Sequence, residues 1–212
     1  IIIVIMQSCS KSTPTGMTCD YAPYAYKKKA TFSYKTYYQN SLSSSGILTN
    51  EITGDTMIDN ILYANVTAIL SDNTNRVTKG VVRCGNGVFV SMPVFRGRTW
   101  EVKMLKENPS IGDKWTSGPF NYTDGNIVYT AINNFEVIST NESKVLQSNS
   151  YTNLIKVKSV VIVTVMNIPT YSYVMSYWDK ANGLVMQKTY NNETDLKNDS
   201  NEIVSQELIS LI

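Results

Sequence analysis

Apolar and polar residues alternate in short runs along most of the chain. In 28–38, Ala30, Phe32, Tyr34 and Tyr38 fall on one side of an extended backbone, with Lys29, Thr31, Ser33 and Lys35 on the other. A period of two marks a half-buried strand. The same period puts Tyr171, Tyr173, Met175 and Tyr177 on one face and Ser172, Val174 and Ser176 on the other. The run 154–166 begins in alternation, Ile155 and Val157 against Lys156 and Lys158, and is then apolar on both faces from Val160 to Met166, as a doubly covered strand would be.

Between these runs lie breakers. Ser43-Ser44-Ser45-Gly46 reads as a loop, Thr53-Gly54 as a break between 47–52 and 55–70, and 71–75 as a turn. Asn86-Gly87 and Asp124-Gly125 each sit between β-rich runs, which is the strongest local hairpin signal. Further punctuation falls at 107–109, 167–169 and 179–183, and 191–201 reads as a polar loop; 203–211 fits strand and helix equally. No stretch of twelve residues carries a helical period. The pattern predicts an all-β or nearly all-β domain of roughly ten to twelve antiparallel strands with little helix. A meander that long must curl to protect its edges, into a strongly curved sheet or half-barrel.

Composition agrees. Val, Ile, Thr and Tyr number 20, 19, 21 and 14, against 7 Ala and 11 Leu. Branched and aromatic side chains suit a pleated surface, whereas Ala and Leu favour helix. The 212 residues carry 19 Lys+Arg and 17 Asp+Glu, so no basic footprint points to nucleic acid. Histidine is absent, which excludes Ser-His-Asp and Cys-His catalysis, His-ligated metal and a histidine pH switch. No cofactor or metal motif is present.

The start of the chain changes the picture from fold to address. Ile1-Ile2-Ile3-Val4-Ile5-Met6 is apolar but far shorter than the about 20 residues a bilayer span needs. With Gln7-Ser8-Cys9 it resembles the lipobox of bacterial lipoproteins, Met6 standing where leucine is usual. The resemblance implies that 1–8 is a signal-peptide remnant and that Cys9 is lipidated with diacylglycerol and acyl chains such as palmitate. Residues 9–24 then form a lipidated cysteine and polar tether, and 25–212 a single β-rich domain. Ser10 after the cysteine implies an outer-membrane, periplasm-facing location. Three cysteines are odd for an exported chain. With Cys9 acylated, Cys19 and Cys84 are left as a candidate disulfide or as two separate thiols.

Two segments carry a second resemblance: Pro109-Ser110-Ile111-Gly112-Asp113-Lys114-Trp115, and Tyr177-Trp178-Asp179-Lys180-Ala181-Asn182-Gly183-Leu184-Val185-Met186-Gln187. They are similar to the endings of Bacteroidetes-like outer-membrane lipoproteins whose curved half-barrel resembles the LolA/LolB lipoprotein carriers. That resemblance implies an apolar ligand, a lipid or lipoprotein segment, held on the curved sheet. The helices that plug the carriers' half-barrel are not visible here.

Candidate chemistry is sparse. Glu51, Asp55 and Asp59 read as solvated acids on one strand face, not a catalytic pair. Lys27-Lys28-Lys29 suits a solvated strand start or contact with anionic headgroups. Tyr171, Tyr173, Tyr177 and Trp115 are the candidate ligand-lining residues; a core role fits them too, and Trp178 points away from the tyrosine row by parity. The leading expectation is a non-enzymatic envelope lipoprotein that binds an apolar ligand or a partner protein. The alternatives are a structural subunit of an envelope assembly and a glycan-acting enzyme using Asp and Glu alone.

Overall fold

The computed structural model describes residues 29–72, 76–85, 88–95 and 98–211. The expectations for 1–8 and 9–24, Cys9 and Cys19 included, lie outside these residues. In chain order the elements are β1 Lys29–Tyr38, β2 Ser41–Ile58, β3 Ile61–Ser71, β4 Arg76–Gly85, β5 Val88–Phe95, β6 Arg98–Thr99, β7 Val102–Lys106, β8 Lys114–Asp124, β9 Ile127–Leu146, β10 Asn149–Val165, β11 Ile168–Asp179, β12 Gly183–Tyr190, α1 Glu193–Asn198 and β13 Val204–Leu211. All the strands join one antiparallel sheet, in the order β6-β5-β4-β3-β2-β1-β13-β12-β11-β10-β9-β8, with β7 on β5. The sheet curls into a nearly closed barrel, further round than the expected half. The first and last strands pair, Ala30 opposite Leu211 and Thr36 opposite Val204. Among the described residues the sheet is left open at a seam between β7 and β8, where side chains replace the ladder: Lys103 N–H donates to Ser117 Oγ at 2.9 Å and Trp115 Nε1 to the Lys103 carbonyl at 2.7 Å.

Local chemistry explains the hairpins. Three turns place two residues in left-handed backbone: Gln39-Asn40, Asp59-Asn60 and Met166-Asn167, with φ of 48° and 62°, 49° and 62°, and 49° and 67°. Such two-residue turns match the right-handed twist of the strands, and asparagine tolerates the conformation better than most residues. The expected Asp124-Gly125 turn forms, with Gly125 at φ 60°, and Gly85 lies opposite Val88 as the Asn86-Gly87 signal requires.

Three local expectations give way. The segments 43–46 and 53–54 are not breaks: β2 runs unbroken through both, because β1 and β3 pair with it on either side. Gly54 is absorbed as a bulge, and Gly46 lies so close to β3 that an added Cβ would come within 2.5 Å of the Ser71 carbonyl oxygen. The polar loop at 191–201 contains α1. Asn192 caps it by accepting the Asp195 N–H at 2.9 Å, and Asp199 ends it in left-handed backbone.

Register separates two faces. Phe32, Leu208, Gln206, Gln187, Ser176, Val157 and Val137 follow one another across the ladders and share one face. That face is the interior, because one buried cluster on it spans the seam: Ala64, Val82, Val102, Leu105, Phe135, Val137, Ile155, Val157 and Trp178. Tyr173, Met175 and Tyr177 point the other way. Over this exterior face lies α1, with Leu196 buried, Lys158 Nζ 3.0 Å from Glu193 Oε1, and the Tyr190 hydroxyl donating to Asp199. Burial pushes the Tyr177 and Tyr190 phenols up, so both stay protonated donors. Asp199 is desolvated too, yet its bonds from Tyr190 and Lys188 win and hold its carboxyl below the ordinary range.

Candidate ligand site inside the barrel

The interior is layered. Towards the rim where β1 begins, the aliphatic and aromatic side chains of the core fill it. Above them runs a row of uncharged polar groups. Gln206 Nε2 donates to Gln187 Oε1 at 2.8 Å, and Gln187 Nε2 donates to Ser176 Oγ at 3.2 Å. Ser159, Asn133 and Ser117 continue the row along β10, β9 and β8; Ser117, Ser159 and Ser176 are buried. Higher still, Val161, Val163 and Val165 of β10 and Val174 of β11 are only half-buried, opening towards the far rim.

Two hollows lie in the interior, and the first adjoins this row. One, of about 100 Å³, is lined by Met104, Asn133, Phe135, Ser159, Val161, Val174, Ser176 and Gln187, among others. The second, about 190 Å³, lies against β2–β5, bounded by Asn50, Val66, Ala68, Thr78, Gly80 and Ser91 among others. An aromatic ladder rises beside the seam. Trp115 stacks on Phe135 at 5.1 Å, Trp100 on Phe120 at 5.6 Å, and Tyr122 on Tyr129 at 4.5 Å.

Charge is arranged outside. Arg83 grips Glu101 through one guanidinium edge, Nε donating to Oε1 at 2.7 Å and Nη2 to Oε2 at 3.0 Å, and the Tyr63 hydroxyl donates to the same carboxylate. The Arg83 guanidinium holds the Glu101 carboxyl below the ordinary carboxylate range. A depressed folded pKa stabilises the fold above the unfolded value, and the contribution is lost as pH falls through the folded one. Glu101→Gln should therefore cost about 1 kcal/mol at pH 7, modest because the pair is partly solvated, and almost nothing at pH 3. Urea midpoints of both proteins at the two pH values check this; a gap that persists at pH 3 contradicts it. A broader groove of about 390 Å³ on the exterior, by Lys114, Thr116, Asn134, Glu136 and Lys158, is bounded by charges already paired, Lys114 with Glu136 at 3.1 Å and Lys158 with Glu193 at 3.0 Å.

The structure divides the residues singled out as ligand-lining. Trp115 stacks on interior Phe135, edging the seam. Tyr171, Tyr173 and Tyr177 stand on the exterior: Tyr171 and Tyr173 stack side by side at 6.5 Å, while Tyr177 is buried under Lys144 and Lys156, whose Nζ atoms lie 4.8 and 5.7 Å from its ring. Cys84 is buried in the interior cluster and disulfide-bonded; both other cysteines fall outside the described residues. Glu51, Asp55 and Asp59 are exposed. Sequence reasoning missed the polar row. Its signal was a small or amide residue at an inward position of an otherwise apolar row, such as Ser159 between Val157 and Val161.

No protein-family model and no curated protein matches the chain. Two solved structures resemble it. One, from Parabacteroides distasonis ATCC 8503 and provisionally described as a lipoprotein, aligns over 92% of this chain and 99% of its own, at 11% identity and a TM-score of 0.52. The other, provisionally described as an exported protein with a YmcC-like fold, from Bacteroides fragilis NCTC 9343, covers 88% and 95% at 13% identity and a TM-score of 0.49. The Parabacteroides likeness is one of fold.

Proposed function

We propose that the protein is a non-enzymatic lipoprotein of the bacterial envelope, anchored to the outer membrane through Cys9, whose barrel interior holds an apolar ligand such as a lipid or a lipoprotein segment. One observation carries the reading: the hollow beside the polar row is lined by uncharged side chains, and the valines above it are only half-buried. An interior of that kind favours apolar matter and opposes ions, which lose their hydration without gaining a partner. The address rests on the lipobox-like start of the chain. It is supported by the shared fold with a Parabacteroides protein itself described as a lipoprotein.

The test fills the space. N-phenyl-1-naphthylamine, a neutral probe that fluoresces in apolar surroundings, should bind the purified protein and be displaced by long-chain lipids. Val161→Phe with Val174→Phe, both facing the hollow, should abolish the signal while circular dichroism stays that of a β protein. Binding unchanged in the double variant, or none in the native protein, overturns the reading. A second role, as an accessory subunit, is favoured by the exposed apolar tips Met166 and Ile168, 69% and 70% accessible. A stoichiometric envelope partner recovered from detergent-solubilised membranes, with no co-purified lipid, would select it.

A further inference from the structure

The polar row inside the barrel is an odd floor for a purely apolar site, and its hydrogen bonding is unbalanced. Gln206, Gln187 and Ser176 satisfy one another in a chain. Asn133, on the other wall of the same hollow, has its Oδ1 enclosed and accepts no hydrogen bond. An enclosed carbonyl oxygen left unpaired costs about 1–3 kcal/mol, which a donor arriving with a ligand would recover. Among the described residues no lysine, arginine or carboxylate lines this hollow, so a charged head brought here would find no counter-ion among them. The hollow beside the row, about 100 Å³, has room for a small head group. Above it the walls turn to valine and, at the seam, to the aromatic ladder.

We infer that the barrel selects amphiphiles with a small uncharged head carrying a hydroxyl or amide donor, the head seated against Asn133, Ser159 and Gln187 and the chain running up between Val161, Val174 and the aromatic ladder. This rests on the ligand-holding reading above and adds to it an orientation and a class. Head-first entry follows from the layering, because the deepest accessible groups are the polar ones. A carboxylate head is rejected by the lack of a cation. An ester without a donor is accepted less well, because Asn133 Oδ1 then stays unpaired. Discrimination of this kind is large where a buried group is left without its partner.

The experiment displaces N-phenyl-1-naphthylamine at pH 8 with three probes sharing one chain: monooleoylglycerol, methyl oleate and oleate. In the native protein monooleoylglycerol should bind about tenfold more tightly than either of the others. Asn133→Leu should reduce that preference to within about twofold while the dye still binds, and the milder Ser159→Ala should reduce it part of the way. Three probes displacing the dye equally, or oleate winning, overturn the inference and leave the apolar interior standing. A native protein that binds no dye at all removes both.

Discussion

Trp178→Ala should be the most damaging single truncation in the chain, lowering stability by about 3–5 kcal/mol. Trp178 is 2% exposed, the largest of the fully buried side chains, and lies in the interior cluster shared by strands from both sides of the seam. The other buried members of that cluster come from β3, β4, β7, β9 and β10. A hole there cannot close by moving one strand, because the ladders hold β11 between β10 and β12. Equilibrium urea unfolding checks it through the midpoint at unchanged slope. A loss below about 1 kcal/mol would mean that the cluster is loosely packed and that the seam is not closed by it. Since a marginally stable domain has only about 5–15 kcal/mol in total, the variant should also be conspicuously sensitive to protease.

Gln187→Glu should be the most damaging near-isosteric change, at roughly 2–3 kcal/mol at pH 7. The substitution keeps shape and acceptor capacity. It removes the donor that reaches Ser176 Oγ and places a negative charge beside Gln206, where the hollow offers no cation. Such a carboxyl is pushed up, not down. A raised folded pKa for an acid means that the penalty is full above the folded value and fades as pH falls towards the unfolded value of about 4.3. The variant should thus approach the native protein in stability near pH 4, opposite to the trend for Glu101→Gln. Urea midpoints across pH 4–8 decide it. A pH-independent loss would mean that the new carboxylate reaches solvent and that the row is not enclosed.

The strands were legible because alternation is a property of neighbouring residues. β1 and β11 follow their sequence patterns closely and the Asp-Gly turn falls where expected, whereas β10 begins earlier, at Asn149, and its Val160 to Val165 stretch is half-buried rather than covered on both faces, with Met166 exposed in the turn. What escaped was set by distance in the chain or by brevity. The serine run 43–46 looks like a loop alone, yet it is strand because β1 lies alongside it. α1 is six residues long, too short for a period to register; its trace was the capping pair Asn192 and Asp195. The turns at Gln39-Asn40, Asp59-Asn60 and Met166-Asn167 lack glycine and so lack the familiar flag.

The candidate site was legible only as composition. Tyr171, Tyr173 and Tyr177 share a face, as parity requires, but parity does not say which face is the inside. That depends on how the sheet curls, and the curl is fixed by the contacts of residues as far apart as Ala64 and Trp178. The same limit applies to the aromatic ladder, since Trp100, between β6 and β7, meets Phe120 of β8 across the seam.

The pairing of β1 with β13 has a consequence for the order in which the protein forms. Every other ladder except β5–β7 joins strands adjacent in the chain, so two meanders, β1–β7 and β8–β13, can build themselves from local hairpins. The β1–β13 ladder alone brings residues near 30 to residues near 210, and the loop-closure entropy it must overcome is the largest in the molecule. Its formation is the natural last and slowest event. Until then β1 presents a long open edge, which stays open until the final strand is free to pair. Such an edge invites strand exchange between neighbouring copies, which makes the interval before the barrel closes the stage at which the chain is most exposed to aggregation.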